Sequence, residues 1–200
     1  MIKLKNANIM LDDLTVLEDI NFNFGRETYL LAGRMVKRKN ALLEELAFAA
    51  SKYNPNIKYH AENGVVYLPT NPILIEGLTV KQNIQFYSRF FGTTHMKVKV
   101  LINHFEIENI LERKVKGLNV DVIKLVQVIC VFLNTEATVY LLSDPFANLN
   151  KYQIDLIKTY LKQIERDITI IFSKLNSHEI EEFKPRIIEI KDKKLVFEEN

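Results

Sequence analysis

Residues 33–40, GRMVKRKN, separate an apolar run, TYLLA at 28–32, from a helical pattern, ALLEELAFAA at 41–50. A strand, a glycine and then a lysine at the start of a helix form the arrangement of a phosphate-binding loop, whose pattern is G-x-x-x-x-G-K-[ST]. Here Arg38 stands where the second glycine is expected, and Asn40 stands where the hydroxyl is expected. The stretch predicts a strand–loop–helix unit and leaves open whether the loop binds a nucleotide.

The sequence on either side predicts strands and helices in alternation. Strands are predicted from period-two alternation or short apolar runs at 2–9, 15–24, 27–32, 65–68, 138–142, 168–172, 186–190 and 195–198. Helices are predicted at 40–52, 79–91, 97–105, 108–114, 120–133, 151–166 and 177–183. Residues 11–13 read as a turn and 53–63 as a loop. Buried strands that alternate with helices predict an α/β fold with a mostly parallel sheet flanked by helices.

Two further parts are predicted beside this sheet. The alternating strands at the N-terminus predict an antiparallel β subdomain. The helical block at 72–133 predicts an inserted α-helical subdomain, so that the α/β core consists of 1–71 and 134–200. We expect all of these parts to belong to one domain spanning 1–200.

Composition restricts the possible functions. The formal net charge is only +2, so general nucleic-acid binding is not expected. A single cysteine, Cys130, lies in an apolar run and fits a reducing compartment. The N-terminus has no long apolar core, so we expect no secretory signal. No apolar run reaches the roughly 20 residues of a membrane span. We therefore expect a soluble, cytoplasmic protein that needs a partner to work at a membrane.

The order of six segments resembles the ATP-binding domain of ABC transporters over essentially the whole chain. Residues 2–24 look like its first strands, and GRMVKRKN occupies its Walker A position. The other segments are VVYLPTNPILIEGLTVKQNIQFY (65–87) at its Q-loop, KGLNVDVIKLVQVICVFL (116–133) at its signature, VYLLSDPFANLN (139–150) at its Walker B strand and TIIFSKLNSHEIEEF (169–183) before its switch histidine. The resemblance implies a P-loop NTPase-like fold.

The same comparison implies that most polar positions of the family's site have changed. Gly33 and Lys39 remain. The replacements are Arg38 for a loop glycine, Asn40 for the Mg²⁺-binding hydroxyl, Thr70 for the Q-loop glutamine, Ser143 for the Walker B aspartate, Asp144 for the catalytic glutamate, Lys174 for the switch histidine and Met10 or Leu11 for the aromatic residue that stacks on adenine. The signature segment, 118–122, has lost both glycines and gained Asp121. Asp144 is one methylene shorter than glutamate, which displaces a general base by about 1 Å.

The resemblance therefore implies a degenerate ATP-binding subunit that does not hydrolyse ATP and is a structural or regulatory component of a membrane transport complex. Its expected partners are a membrane permease subunit and a second ATP-binding subunit or a second copy of the chain, at the inner face of the cell membrane. The candidate residues are Gly33, Arg38, Lys39 and Asn40 for weak ATP binding, Asp144 for catalysis, and Thr70, Asn71, Phe86 and Phe90 for the partner. Mg²⁺ binding is doubtful, and the four histidines show no metal-ligand spacing.

Two alternatives stay open at the level of sequence. The first alternative is that the chain is a divergent but active transporter ATPase that uses Lys39 and Asp144 together with its partner. The second is that it is a soluble module that binds an anion or an acidic protein with the basic loop, 34–39.

Overall fold

A three-stranded antiparallel sheet is formed by the N-terminal strands and a short later strand. The structure, a computed structural model, describes residues 1–51, 55–59 and 64–198. The sheet has the order β2 (Leu14–Phe24), β1 (Ile2–Leu11), β4 (Ile57–Tyr59). Ile2, Leu4, Ala7 and Ile9 are buried while most of the residues between them are exposed. This alternation places one face of β1 against the core.

A second, mostly parallel sheet carries the predicted buried strands. Within the described residues its order is β5 (Val65–Leu68), β6 (Val139–Ser143), β7 (Thr169–Ser173), β3 (Thr28–Leu31), β8 (Arg186–Lys191), β9 (Lys194–Phe197). Strands β6 and β7, β7 and β3, and β3 and β8 pair in parallel, whereas the predicted strands β8 and β9 pair antiparallel as a hairpin. Every residue of β6 and β7 is buried, as expected for central parallel strands.

One compact unit, Met1–Tyr67, Ala137–Asp144 and Glu165–Asn200, contains both sheets and helix α1 (Val36–Ser51). Its core joins α1 to the sheets through Leu42, Leu43 and Leu46, which are inaccessible to solvent. These residues recur at helical spacing, so the helix presents one apolar face to the strands.

The other unit, Leu68–Glu136 and Pro145–Ile164, is helical. It contains α2 (Val80–Phe91), α3 (His95–His104), α4 (Val120–Phe132) and α5 (Lys151–Ile164). Phe105, Phe132 and Tyr160 form an aromatic cluster in which the Phe132 and Tyr160 ring centroids are 4.7 Å apart. Burial raises the pKa of Tyr160 to about 12. None of the helices in the described part of the chain is long and apolar enough to cross a membrane.

The predicted fold class is confirmed. Among the predicted elements, the helix at 177–183 is a 3₁₀ helix, Ser177–Phe183, and three more need correction. Helix α1 begins at Val36 instead of residue 40, because the basic residues of the loop already form its first turn. The predicted loop 53–63 contains strand β4, which pairs with β1; its residues 53, 54 and 60–63, and Lys52 of the predicted helix, lie outside the described residues. The predicted helix 108–114 is only a 3₁₀ turn, Glu108–Ile110. The predicted domain boundaries stay predictions.

Candidate functional site

The carboxyl ends of three parallel strands meet at one edge of the larger sheet. Leu31 of β3 and Ser143 of β6 are both in register with Ser173 of β7, which lies between them. The Asp144 N–H donates to the Ser173 carbonyl at 3.0 Å. The residues that follow these strands, including Gly33, Asp144 and Lys174, are therefore brought to the same edge, which is where α/β folds place their ligand sites.

The loop between β3 and α1 turns at Gly33. Its φ of +81° is in the left-handed region that only glycine adopts at low cost. The Val36 N–H donates to the Arg34 carbonyl at 2.9 Å, and the Lys39 N–H donates to the Met35 carbonyl at 3.1 Å. The helix therefore starts within the predicted phosphate loop. The positive end of its dipole, at the N-terminus, lies at this edge of the sheet.

Lys39 is the buried cation of this site. Its residue surface is only 3% exposed, and its Nζ donates to the Gly33 carbonyl at 2.7 Å across the loop. Burial, and then the nearby positive charge of Lys174, lower the pKa of the Lys39 ammonium. Two lysines thus share one site, while Arg34 and Lys37 are exposed and Arg38 is half-buried on the same loop. A cluster of cationic side chains at a helix N-terminus favours the binding of an anion.

A chain of neutral hydrogen bonds links α1 to the ends of β6 and β7. Ser173 Oγ donates to Ser143 Oγ at 3.4 Å, and Ser143 Oγ donates to Asn40 Oδ1 at 3.2 Å. Both serines are inaccessible to solvent. The hydroxyl of Ser143 and the amide of Asn40 are therefore directly bonded to each other at the inner end of the loop.

These residues do not fit a magnesium ion. Proteins hold Mg²⁺ with carboxylate oxygens and leave several positions for water or phosphate oxygens. Asn40 and Ser143 offer only neutral oxygens, and the two side chains are bonded to each other. No group of three or more His, Cys, Asp or Glu side chains suited to a metal occurs among residues 1–51, 55–59 and 64–198.

The order of the strands and the position of the loop can be compared with known proteins. No protein-family model and no curated protein matches the sequence. Solved structures do match: an ATP-binding subunit of an ABC transporter is 18% identical, with a TM-score of 0.83 over 98% of this chain and 88% of that chain. A nucleotide-free ATP-binding cassette from an ABC transporter is 12% identical, with a TM-score of 0.73 over 98% and 89%. The chain has the fold of an ABC transporter ATP-binding domain.

In this ABC-type fold, Asp144 follows strand β6 directly. Its backbone is in the left-handed region, with φ +53°, a conformation that aspartate tolerates better than most residues do. The side chain is half-buried next to Ser143 in the chain. The structure thus places the predicted catalytic carboxylate at the same sheet edge as Lys39, and its role stays a prediction.

The helical unit of the ABC-type fold carries the remaining candidates. Thr70 and Asn71 are exposed in the segment after β5, and Phe86 and Phe90 of α2 are 50% and 74% exposed. A cleft of about 540 Å³ runs along α2 and is lined by Leu78, Gln82, Gln85, Phe86, Arg89 and Phe90. The two phenylalanines therefore line one apolar cleft with a single basic residue.

The segment at the signature position also lies in the helical unit. Asn119 precedes the first turn of α4, where Val120 is 65% exposed and the Asp121 Oδ2 accepts a hydrogen bond from Gln153 at 3.5 Å. An exposed valine and a carboxylate thus occupy the positions where two glycines are expected. At the predicted adenine position, Met10 is exposed at the end of β1.

Two polar residues were missed by the sequence reasoning. Ser173 ends the apolar strand TIIFS as Ser143 ends VYLLS, and this parallel would have predicted their pairing. Gln127 is buried within the apolar helix α4 and bonds the segment at 69–71. A lone amide in an otherwise apolar helical run was the available signal.

Proposed function

We propose that this chain is an ABC-type subunit that does not hydrolyse ATP and is a structural or regulatory component of a membrane transport complex. The observation that carries the proposal is the bond from Ser143 Oγ to Asn40 Oδ1. Transfer of a phosphoryl group relies on a cation that neutralises charge on the transferring oxygens. A neutral amide and a neutral hydroxyl cannot supply the carboxylate that would hold such a cation.

Arg38 supports the same proposal. A loop that wraps phosphate groups needs backbone N–H groups that approach them closely, and glycine permits this approach. Arg38 brings a long side chain to that position, and the Lys39 N–H is already bonded within the helix. The loop therefore keeps its positive charge, whereas its backbone N–H groups are less able to approach a phosphate closely.

The partner is proposed to be a membrane permease subunit that contacts Thr70, Asn71, Phe86 and Phe90. Exposed apolar patches with a polar rim mark interaction sites. The cleft along α2 combines Phe86 and Phe90 with Arg89, so a cytoplasmic helix with an apolar face and an acidic residue would complement it. This partner would hold the chain at the cytoplasmic face of the membrane. A second ATP-binding subunit or a second copy of the chain is a further proposed partner.

Magnesium dependence tests the carrying observation. We expect ATP with Mg²⁺ and ATP with a chelator to give the same melting temperature for the wild-type chain, because no residue pair holds the metal. In the double variant Asn40→Thr, Ser143→Asp, a hydroxyl and a carboxylate are restored, and Mg²⁺ with ATP should raise the melting temperature by mass action. A clear Mg²⁺-dependent rise in the wild-type chain would contradict the proposal.

A second candidate function is metal-free binding of an anion, favoured by the shared position of Lys39 and Lys174. Inorganic phosphate, or ATP with a chelator, should then raise the melting temperature of the wild-type chain. This stabilisation should decrease steeply as salt is added. The variant Lys39→Met, Lys174→Met should lose this stabilisation. Equal stabilisation of the variant would exclude these lysines as the binding site. The alternative of an active ATPase is decided by measuring ATP turnover by the purified chain.

A further inference from the structure

The segment at 69–75, which carries two of the proposed partner-binding residues, is fastened to helices α2 and α4 by buried polar side chains. Gln127 of α4 is 1% exposed, and its Nε2 donates to the carbonyls of Pro69 at 3.1 Å and Asn71 at 2.9 Å. An amide buried without hydrogen bonds is costly, so these two bonds account for a glutamine within an apolar helix.

The other end of the segment is bonded from α2. Asn83, which is inaccessible to solvent, accepts from the Ile75 N–H at 2.8 Å and donates to the Ile75 carbonyl at 3.1 Å. It also donates to the Thr79 carbonyl at 3.0 Å. Tyr87 OH donates to the Ile73 carbonyl at 2.7 Å. The carbonyls of residues 69, 71, 73 and 75 therefore all accept hydrogen bonds from side chains of two helices.

The segment is bonded through its backbone while several of its side chains stay accessible. Every second carbonyl is held by the helical unit, and Thr70, Asn71, Pro72 and Ile75 are exposed. A segment that is hydrogen-bonded at alternate residues has little conformational freedom in the unbound protein. This lowers the entropic cost of binding a partner. All of these bonds lie within the helical unit, and none uses a residue of the basic loop.

We infer that Gln127 is a positioning residue that, with Asn83 and Tyr87, holds residues 69–75 as a preformed part of the partner-binding face, so that permease docking does not depend on what the basic loop binds. The inference rests on the proposed function for the identity of the partner. The rigidity of the segment does not rest on it.

Hydrogen exchange of the intact chain, measured over residues 69–76, tests the inference. Gln127→Met keeps the side-chain length and removes the donors. We expect the Ile75 amide, which donates to Asn83 Oδ1, to exchange about tenfold faster than in the wild type once the segment is released at 69 and 71, while the amides of β6 and β7 are unchanged. Gln163→Met, at an exposed glutamine of α5, is the matched control and should leave this exchange unchanged. Unchanged exchange in Gln127→Met would overturn the positioning role.

Two further variants complete the test. Tyr87→Phe keeps the ring and removes the bond to the Ile73 carbonyl, so it should accelerate exchange of the Ile75 amide even if Gln127→Met does not fold. Lys39→Met should leave exchange over 69–76 at the wild-type rate, as should millimolar ATP in the wild-type chain. A change on either of these treatments would overturn the independence from the basic loop.

The two proposals fail separately. If the segment is protected as expected and native membranes yield no permease, the proposed function is wrong and the positioning role stands. If a permease is recovered equally well by the wild type and by a folded Gln127→Met variant, the positioning role is wrong and the proposed function stands.

Discussion

Lys39 shows at the scale of a single residue how this site differs from a solvated basic loop. Its ammonium is buried, bonded to Gly33 and close to a second cation, Lys174. Burial of a positive charge beside another disfavours the charged form, which is why the pKa of Lys39 is lowered. A bound anion would remove this penalty, so the electrostatics of the residue indicate what the site would accept.

Removal of the neighbouring charge should raise the pKa of Lys39. In Lys174→Met the like-charge repulsion is gone, and the protonated form of Lys39 is favoured. Titration of the Lys39 side chain followed by nuclear magnetic resonance measures the change. Lys37→Met, at an exposed position of the same loop, is the control and should have a smaller effect. A Lys39 pKa that does not move in Lys174→Met would show that the two charges do not interact.

The same residue predicts a dependence of stability on pH. Because the folded pKa lies below the ordinary value of 10.5, the unfolded chain holds more protons between those two values. The contribution of Lys39 to the free energy of unfolding is therefore lowest at neutral pH and rises as pH increases towards 10.5. Urea denaturation should show the wild type gaining stability relative to Lys39→Met over this range. A constant difference between the two proteins would contradict the lowered pKa.

At the scale of elements, helix α2 is held at its start by a reciprocal cap. Gln82 N–H donates to Thr79 Oγ1 at 3.2 Å, and Thr79 N–H donates to Gln82 Oε1 at 2.9 Å. The helix ends at Gly92, in the left-handed conformation. Both signals were present in the sequence, and the predicted helix 79–91 matches the observed Val80–Phe91 apart from the cap itself.

Loss of the cap should weaken the helical unit. Thr79→Ala removes the side-chain acceptor and should lower the free energy of unfolding by about 1 kcal/mol. Chemical denaturation of the intact chain measures this value. Ser88→Ala, which removes the bond from the Ser88 hydroxyl to the Gln85 carbonyl within α2, should change stability by less than about 0.5 kcal/mol. Equal effects of the two substitutions would show that the cap contributes nothing specific.

Elements with strong local patterns were predicted well, and contacts between distant residues were not. Strands β6 and β7 follow from the short apolar runs at 138–142 and 168–172. Strand β4 was missed because a three-residue strand is defined by its pairing with β1 and not by its own pattern. Similarly, Ser143 and Asn40 are 103 residues apart, and no local signal predicts their bond. The residues of the candidate site could be named from the resemblance, whereas their mutual geometry required the fold.

At the scale of the whole molecule, the cationic loop belongs to one compact unit and the exposed phenylalanines of α2 belong to the other. The net charge is only +2, yet four of the residues at 33–40 are cationic. Among the described residues that line the cleft beside the exposed phenylalanines of α2, Arg89 is the single charged one. The two features therefore carry two separate proposals, an anion at the basic loop and a protein partner at α2.

The apolar face predicts a specific loss of partner binding. Phe86→Ala, Phe90→Ala should leave the melting temperature close to the wild-type value, because both side chains are largely exposed. The double variant should recover much less permease from native membranes, since exposed aromatic anchors contribute strongly to binding. Phe48→Ala, at an exposed phenylalanine of α1, is the matched control and should recover as much as the wild type. Full recovery by the double variant would place the partner elsewhere.

ATP turnover by the purified chain in the presence of Mg²⁺ tests the central claim most directly. The claim is that this ABC-type fold is kept while its hydrolytic site is not. We predict phosphate release at the background rate for the wild type and for Lys39→Ala alike, because a site that binds no metal would not support the reaction. Turnover well above background in the wild type that is abolished by Lys39→Ala would contradict the account and establish an active ATPase.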